Sequence, residues 1–205
     1  MKLYYSPGAC SQAAHIVLHE AGLYHHSEAV DLRAHRTAGG ADYYGINPKG
    51  AVPALELDGG EILTENGAVL QYLGELAGDS ALLPARGIER YRVIEWLAYL
   101  GSEAHKSFGP LFDPASSEEV KAGARDMVAK KFDYIEAQLE GRDYLVGPSM
   151  TVADPYLFAM LGWTNLGIDL AKWPNLTALR RRMEQRPSVQ AVLRAEGLAE
   201  KADAS

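Results

Sequence analysis

A single cysteine, Cys10, stands in the 205 residues of the chain, so no internal disulfide can form. Dithiol redox cycling within the chain is excluded with it, and a lone thiol fits a reducing compartment. Cationic residues are also few: 20 Lys and Arg against 27 Asp and Glu leave a formal charge of −7. That balance argues against nucleic acid as the principal partner, because phosphate binding needs a clustered positive surface. No apolar run approaches the roughly 18 residues of a membrane span. The opening MKLYYSPGAC meets Pro7 and Gly8 before any leader-like apolar stretch develops. A cytoplasmic protein with no membrane partner is therefore expected. The sequence contains no G-x-G-x-x-G, no phosphate loop and no G-x-S-x-G elbow.

What is present suffices for a core, since 47% of the residues are hydrophobic and the length suits one large domain or two compact ones. Residues 2–5 read as a short strand closed by Ser6-Pro7-Gly8. From Cys10 a helix is expected, with Ala14, Val17, Leu18 and Ala21 at helical spacing and Gly22 as its stop. Residues 26–31 read as a second strand, and 32–46 as loop with a short helix. Residues 54–57 and 61–63 flank the turn Asp58-Gly59-Gly60, which predicts a hairpin. Thr64 is then expected to cap a helix to about Ala77 that buries Ala68, Val69, Tyr72, Leu73 and Leu76. After residues 78–86 the pattern is helical alone, so domains over 1–79 and 87–205 are expected. Ile94, Leu97, Gly101, Ala104 and Phe108 form one apolar stripe; Val128, Phe132, Ile135 and Leu139 form another. Further helices are expected from about 152, 175 and 188. In TVADPYLF, Thr151 and Asp154 read as a structural capping pair.

Cys10 at a helix start is a candidate nucleophile, because unpaired backbone N–H groups there favour the thiolate. The alternative is a buried small hydrophobe. Val52-Pro53, between a glycine loop and a strand, is either an ordinary loop proline or a cis turn. In the second case the Val52 N–H and C=O face outward to pair with an extended peptide. Thr64-Glu65-Asn66-Gly67 opens a helix whose N–H groups can hold a carboxylate while Glu65 pairs with an ammonium. Ser102, Glu103, His105 and Lys106 are either a solvated face or a source of hydrogen bonds and charge across a cleft. His15 and His19 have the i, i+4 spacing of a helical metal pair, and His25-His26 follow. No third ligand or orienting partner is evident, so these are read as structural or surface groups and no metal is expected.

Together KLYYSPGACS, NPKGAVPAL, LTENGAVLQYL, SEAHKSF and TVADPYLF resemble the bacterial beta-class glutathione transferases across nearly the whole chain. The resemblance implies an α/β thioredoxin-like N-terminal domain, an all-α C-terminal domain and a homodimer with sites near the subunit interface. It implies glutathione as co-substrate and a hydrophobic electrophile as the second substrate, the chemistry of detoxification. Cys10 matches the residue that contacts the glutathione sulfur and forms a mixed disulfide with it. Val52 and Pro53 match the backbone clamp, Glu65 and Asn66 the pair holding the γ-glutamyl end, and Ser102, Glu103 and His105 the second-domain segment that approaches glutathione. Tyr5, Ser11 and His105 are the candidate donors to a glutathione thiolate. His35 stands where a lysine often binds the glycine carboxylate, and Ala98 where asparagine is common. Glutathione affinity is therefore expected to fall as His35 loses its proton.

Two enzymatic routes follow, conjugation of glutathione to electrophiles and Cys10-dependent thiol exchange, with reductive dehalogenation as a specialised third. A non-catalytic module that binds apolar ligands or a protein partner is the competing reading, and it predicts no heat on titration with glutathione. Phe108, Leu111, Phe112 and Trp163 are candidates both for an electrophile pocket and for the helical core.

Overall fold

The structure is a computed structural model that describes residues 1–78 and 81–199. Five short strands, β1 (Lys2–Tyr5), β2 (His26–Asp31), β3 (Arg36–Thr37), β4 (Ala54–Glu56) and β5 (Ile62–Thr64), form one sheet in the order β3-β2-β1-β4-β5. β1 and β2 run parallel and the other neighbours antiparallel. A parallel pair needs a crossover, which α1 (Gln12–Glu20) supplies. Alternation along β1 then splits its side chains between two faces. Leu3 joins Val17, Leu55 and Leu73 under the helices, whereas Tyr4 joins Val30, Tyr43, Val52 and Ala54 on the opposite side.

α2 (Asn66–Leu76) packs beside α1. Beyond it the described chain is helical: α3 (Ile88–Tyr99), a π-helical stretch over Leu100–Ala104, then α4 (His105–Ser107) and α5 (Gly109–Phe112). α6 (Glu118–Gln138), α7 (Ala153–Leu161), α8 (Pro174–Glu184) and α9 (Pro187–Ala195) complete it. The thioredoxin-like α/β half and the all-α half share one core, in which Leu55 and Leu73 are continuous with Leu83, Val152, Leu157 and Phe132. The expected domain ends at Asp79 and Ser205 lie outside the described residues. No helix among the described residues is long and apolar enough to cross a membrane.

α7 is buried on every side, as befits a central helix. Asp154 anchors its start: Oδ2 accepts from the Thr151 N–H at 2.7 Å and the Thr151 hydroxyl at 3.0 Å, and Oδ1 accepts from the Leu145 N–H at 2.8 Å. Burial pushes this carboxyl up to about 6, against the pull of those donors.

Three expectations need correction. α1 starts at Gln12, so Cys10 lies ahead of the helix. Thr64 belongs to β5 and caps nothing; Glu65, at φ 72°, makes the turn into α2. The buried stripe of α2 is Asn66, Val69, Leu70, Leu73 and Gly74, with Ala68 and Leu76 exposed. Gly74 explains that rotation, because a Cβ there would lie 2.8 Å from Leu83 Cβ and 3.0 Å from Val152 Cγ1.

α9 lies antiparallel on α1, with a polar clamp at each end. At one end Glu20 of α1 accepts from Arg186 and Ser188. At the other, Glu196 just beyond α9 reaches Gln12 and His15 of α1.

Candidate active site

The turn between β1 and α1 is held from four directions. Trp163 Nε1 donates to Gly8 O at 2.7 Å, and the Gly8 N–H donates to Glu196 Oε2 at 2.9 Å. Asn66 Nδ2 donates to Cys10 O at 3.1 Å, and Cys10 Sγ donates to Val52 O at 3.2 Å. Gly8 takes φ 69°, a conformation that glycine adopts without penalty.

The opposing loop is built as firmly. The Tyr43 hydroxyl and the Asn47 amide both donate to Ala51 O, at 2.9 and 2.7 Å. Gly50 has φ 64°, and a Cβ there would come within 2.8 Å of the Tyr44 ring and 3.1 Å of His35. His35 stacks on Tyr44 with ring centroids 4.4 Å apart, and its Nδ1 is buried without a hydrogen-bond partner. The Val52–Pro53 bond is cis. The Val52 carbonyl accepts from Cys10, while the Val52 N–H meets no acceptor among the described residues.

The helical half brings His105, Tyr156 and Trp163 to the same region. His105 Nδ1 lies 2.9 Å from the Tyr156 hydroxyl, and its ring centroid 4.9 Å from that of Trp163. Tyr156 in turn senses Cys10 and Asn66: burial raises its phenol most, the nearby Cys10 adds to that, and Asn66 opposes it. Burial also lowers His105, favouring the neutral imidazole.

The expected low-pKa thiol is not found here. Burial pushes the Cys10 thiol up to about 12, and the Cys10 and Ser11 N–H groups, which pull the other way, do not offset it. Desolvation outweighs the field of the helix start because Cys10 is only 8% exposed.

The structure therefore brings together Cys10, Val52, Pro53 and Asn66, with His105 reached through Tyr156. Ser11 is not among them: its hydroxyl turns into its own loop, accepting from the Ser6 N–H at 3.1 Å. Tyr5 faces His15, with ring centroids 5.0 Å apart. The tetrad at α2 is split. Asn66 points inward, whereas Glu65 lies exposed and pairs with Lys49. Ser102 and Glu103 are exposed, and Glu103 pairs with Lys131 of α6 at 2.7 Å. Within one chain, no contact among the described residues joins either to Cys10. Phe108 is fully buried core, while Phe112 is half exposed with its ring 5.2 Å from Trp163. A surface cavity of about 630 Å³ lined by Pro84, Arg142 and Thr151 shares no residue with this cluster.

Sequence reasoning passed over Tyr156 and Glu196. A tyrosine inside an otherwise apolar helix was the available signal, since a buried hydroxyl needs a partner. Glu196 carried none, being one acidic residue near a helix end.

Residues 7–76 match the glutathione S-transferase N-terminal domain and residues 95–187 the glutathione S-transferase C-terminal domain. Glutathione S-transferase GstA of Escherichia coli O157:H7 is 45% identical over 97% of this chain and 100% of that protein. A sphingomonad glutathione S-transferase solved with glutathione is 49% identical, with a TM-score of 0.93 over 97% of this chain and 100% of the other. The beta-class enzyme of Sphingomonas chungbukensis is 48% identical at the same TM-score of 0.93, with the same coverage of 97% and 100%. The chain belongs to the glutathione S-transferase family, in its bacterial beta class.

Proposed function

We propose that this protein binds glutathione along the Val52–Pro53 edge and transfers it to electrophilic small molecules, with Cys10-dependent thiol exchange as a second activity of the same site. One observation carries the reading: Cys10 Sγ and the Val52 carbonyl are 3.2 Å apart, so a peptide pairing with Val52 delivers its sulfur beside the thiol. The 49%-identical relative solved with glutathione supports the choice of tripeptide. The partly exposed His35 ring, stacked on Tyr44 beside Gly50, supports His35 as a donor to the glycine carboxylate. Lys49 and Glu65 sit exposed at the rim, where a weak ion pair yields readily to the charged ends of a ligand.

The raised thiol divides the labour between the sulfurs. In conjugation, neutral Cys10 turns its S–H from Val52 toward the glutathione sulfur, which bears the negative charge. That sulfur forms the new S–C bond, and the leaving group departs with its electron pair. Trp163 and Phe112 provide an apolar wall for the electrophile. In exchange, Cys10 must first lose its proton. Its sulfur then attacks oxidised glutathione, the new S–S bond replaces the old, and one glutathione thiolate leaves.

The same reading includes a homodimer in the cytoplasm. Leu76, Ile88 and Tyr91, exposed near the α2–α3 connection, are apolar groups that a second copy would cover.

Calorimetric titration with glutathione, a panel of electrophiles including a haloaromatic, and intact mass after exposure to oxidised glutathione test these points. Saturable heat, conjugate formation and a glutathione adduct are expected. Cys10→Ala should lose the adduct entirely and keep conjugation. That variant should also lose thiol transferase activity; full retention of that activity would remove Cys10 from the exchange route, and no heat with the parent protein would leave only the non-catalytic reading. Alkylation of Cys10 in the ligand-free protein should be slow at pH 7 and rise about tenfold per pH unit to pH 9. A plateau below pH 8 would mean that the thiol ionises far below its place in this structure.

A further inference from the structure

Three imidazoles gather beside α1, away from the thiol. His15 and His19, one turn apart, meet His25 from the connection into β2, with ring centroids 5.2 to 5.7 Å apart. One ligating nitrogen of each lies within 4.8 Å of the others.

The third ligand and the orienting partner that sequence spacing does not reveal are both present in space. His25 Nδ1 donates to the Leu23 carbonyl at 2.8 Å, and His15 Nδ1 donates to Glu196 Oε1 at 3.0 Å. Both bonds fix the ring and leave Nε2 with its lone pair, the arrangement in which carbonyls and carboxylates orient metal-binding histidines. His15 Nε2 meets only the Ser27 hydroxyl, at 3.3 Å. The His19 side chain is exposed and its ring makes no hydrogen bond among the described residues, so it is free to turn. Metal–nitrogen bonds of about 2.0–2.1 Å in a tetrahedron place the nitrogens roughly 3.4 Å apart. Closure requires the rings to turn, and the exposed His19 has the most freedom to do so.

We propose that His15, His19 and His25 bind one divalent transition-metal ion of the zinc type, leaving a fourth position open to water. Imidazole ligands suit Zn²⁺, Ni²⁺ and Cu²⁺ and reject Mg²⁺ and Ca²⁺, which take oxygen. The ion ties α1 to the β2 connection and, through Glu196, to the Gly8 turn.

Full-length protein carrying Cys10→Ser, which removes the competing thiol, is titrated with Zn²⁺ against a chromophoric chelator. One ion per chain is expected, and Mg²⁺ should not compete. His19→Gln and His25→Gln should each weaken binding about tenfold or more, while His26→Gln, whose ring contacts Tyr24, should leave it unchanged. The thermal midpoint should rise with Zn²⁺ in the parent and stay level in His19→Gln, whose exposed side chain makes misfolding a poor excuse. No uptake, or uptake indifferent to both substitutions, overturns the site. Neither result touches glutathione binding, which is measured without added metal.

Discussion

Glu196 and Glu20 close opposite ends of the same helix pair, yet one side chain is 0% exposed and the other 22%. Glu196 distributes its carboxylate over the Gly8 N–H, Gln12 Nε2 and His15 Nδ1. Glu20 holds Arg186 and Ser188 near solvent. Gln12 and His15 are buried as well, so loss of the sealed carboxylate strands both side chains with no water to fall back on. Only the sealed clamp touches Gly8, two residues from Cys10. Stability and the geometry of the thiol are therefore joined at one end of α1 and separate at the other.

The largest effect should come from Glu196→Ala, which is expected to cost about 3–5 kcal/mol in urea unfolding. It should also slow formation of the Cys10–glutathione adduct. Glu20→Ala should leave the adduct rate unchanged. Equal losses of stability from the two substitutions, or an adduct rate insensitive to Glu196, would break the contrast.

Trp163→Phe sharpens it from the other side of the same turn. The substitution removes the indole N–H that Gly8 O accepts at 2.7 Å, at a cost of roughly 1–3 kcal/mol. Because both ties end on Gly8, Trp163→Phe should slow adduct formation as Glu196→Ala does. An unchanged rate would mean that the turn keeps its shape without the indole.

The same contrast explains what the sequence disclosed. Strands over 2–5 and 26–31, the hairpin and the helices near 153, 174 and 187 all follow from local periodicity, which is written in neighbouring residues. The Cys10–Val52 and Asn66–Cys10 contacts were reachable only through the resemblance, since 42 and 56 residues separate the partners. The state of the thiol was misread because the helix start is visible in sequence while burial is not. Glu196 was invisible for the same reason, its partners lying more than 180 residues away. Likewise His25 joins His15 and His19 by the return of the chain, which no i, i+4 rule describes.

The smallest effect concerns the exposed clamp and its pH dependence. Burial would raise the Glu20 carboxyl, but Arg186 and Ser188 hold it below the usual glutamate range. Its folded value thus lies below its unfolded value, near roughly 4.3. The contribution is fully present above that unfolded value and disappears as pH falls through the lower folded one. Glu20→Gln should therefore be less stable than the parent by about 1 kcal/mol at pH 7, and the difference should shrink towards pH 3. Urea midpoints at pH 7, 5, 4 and 3 measure it. A gap that stays constant down to pH 3 would show that the ionised Glu20 contributes nothing to holding α9 on α1.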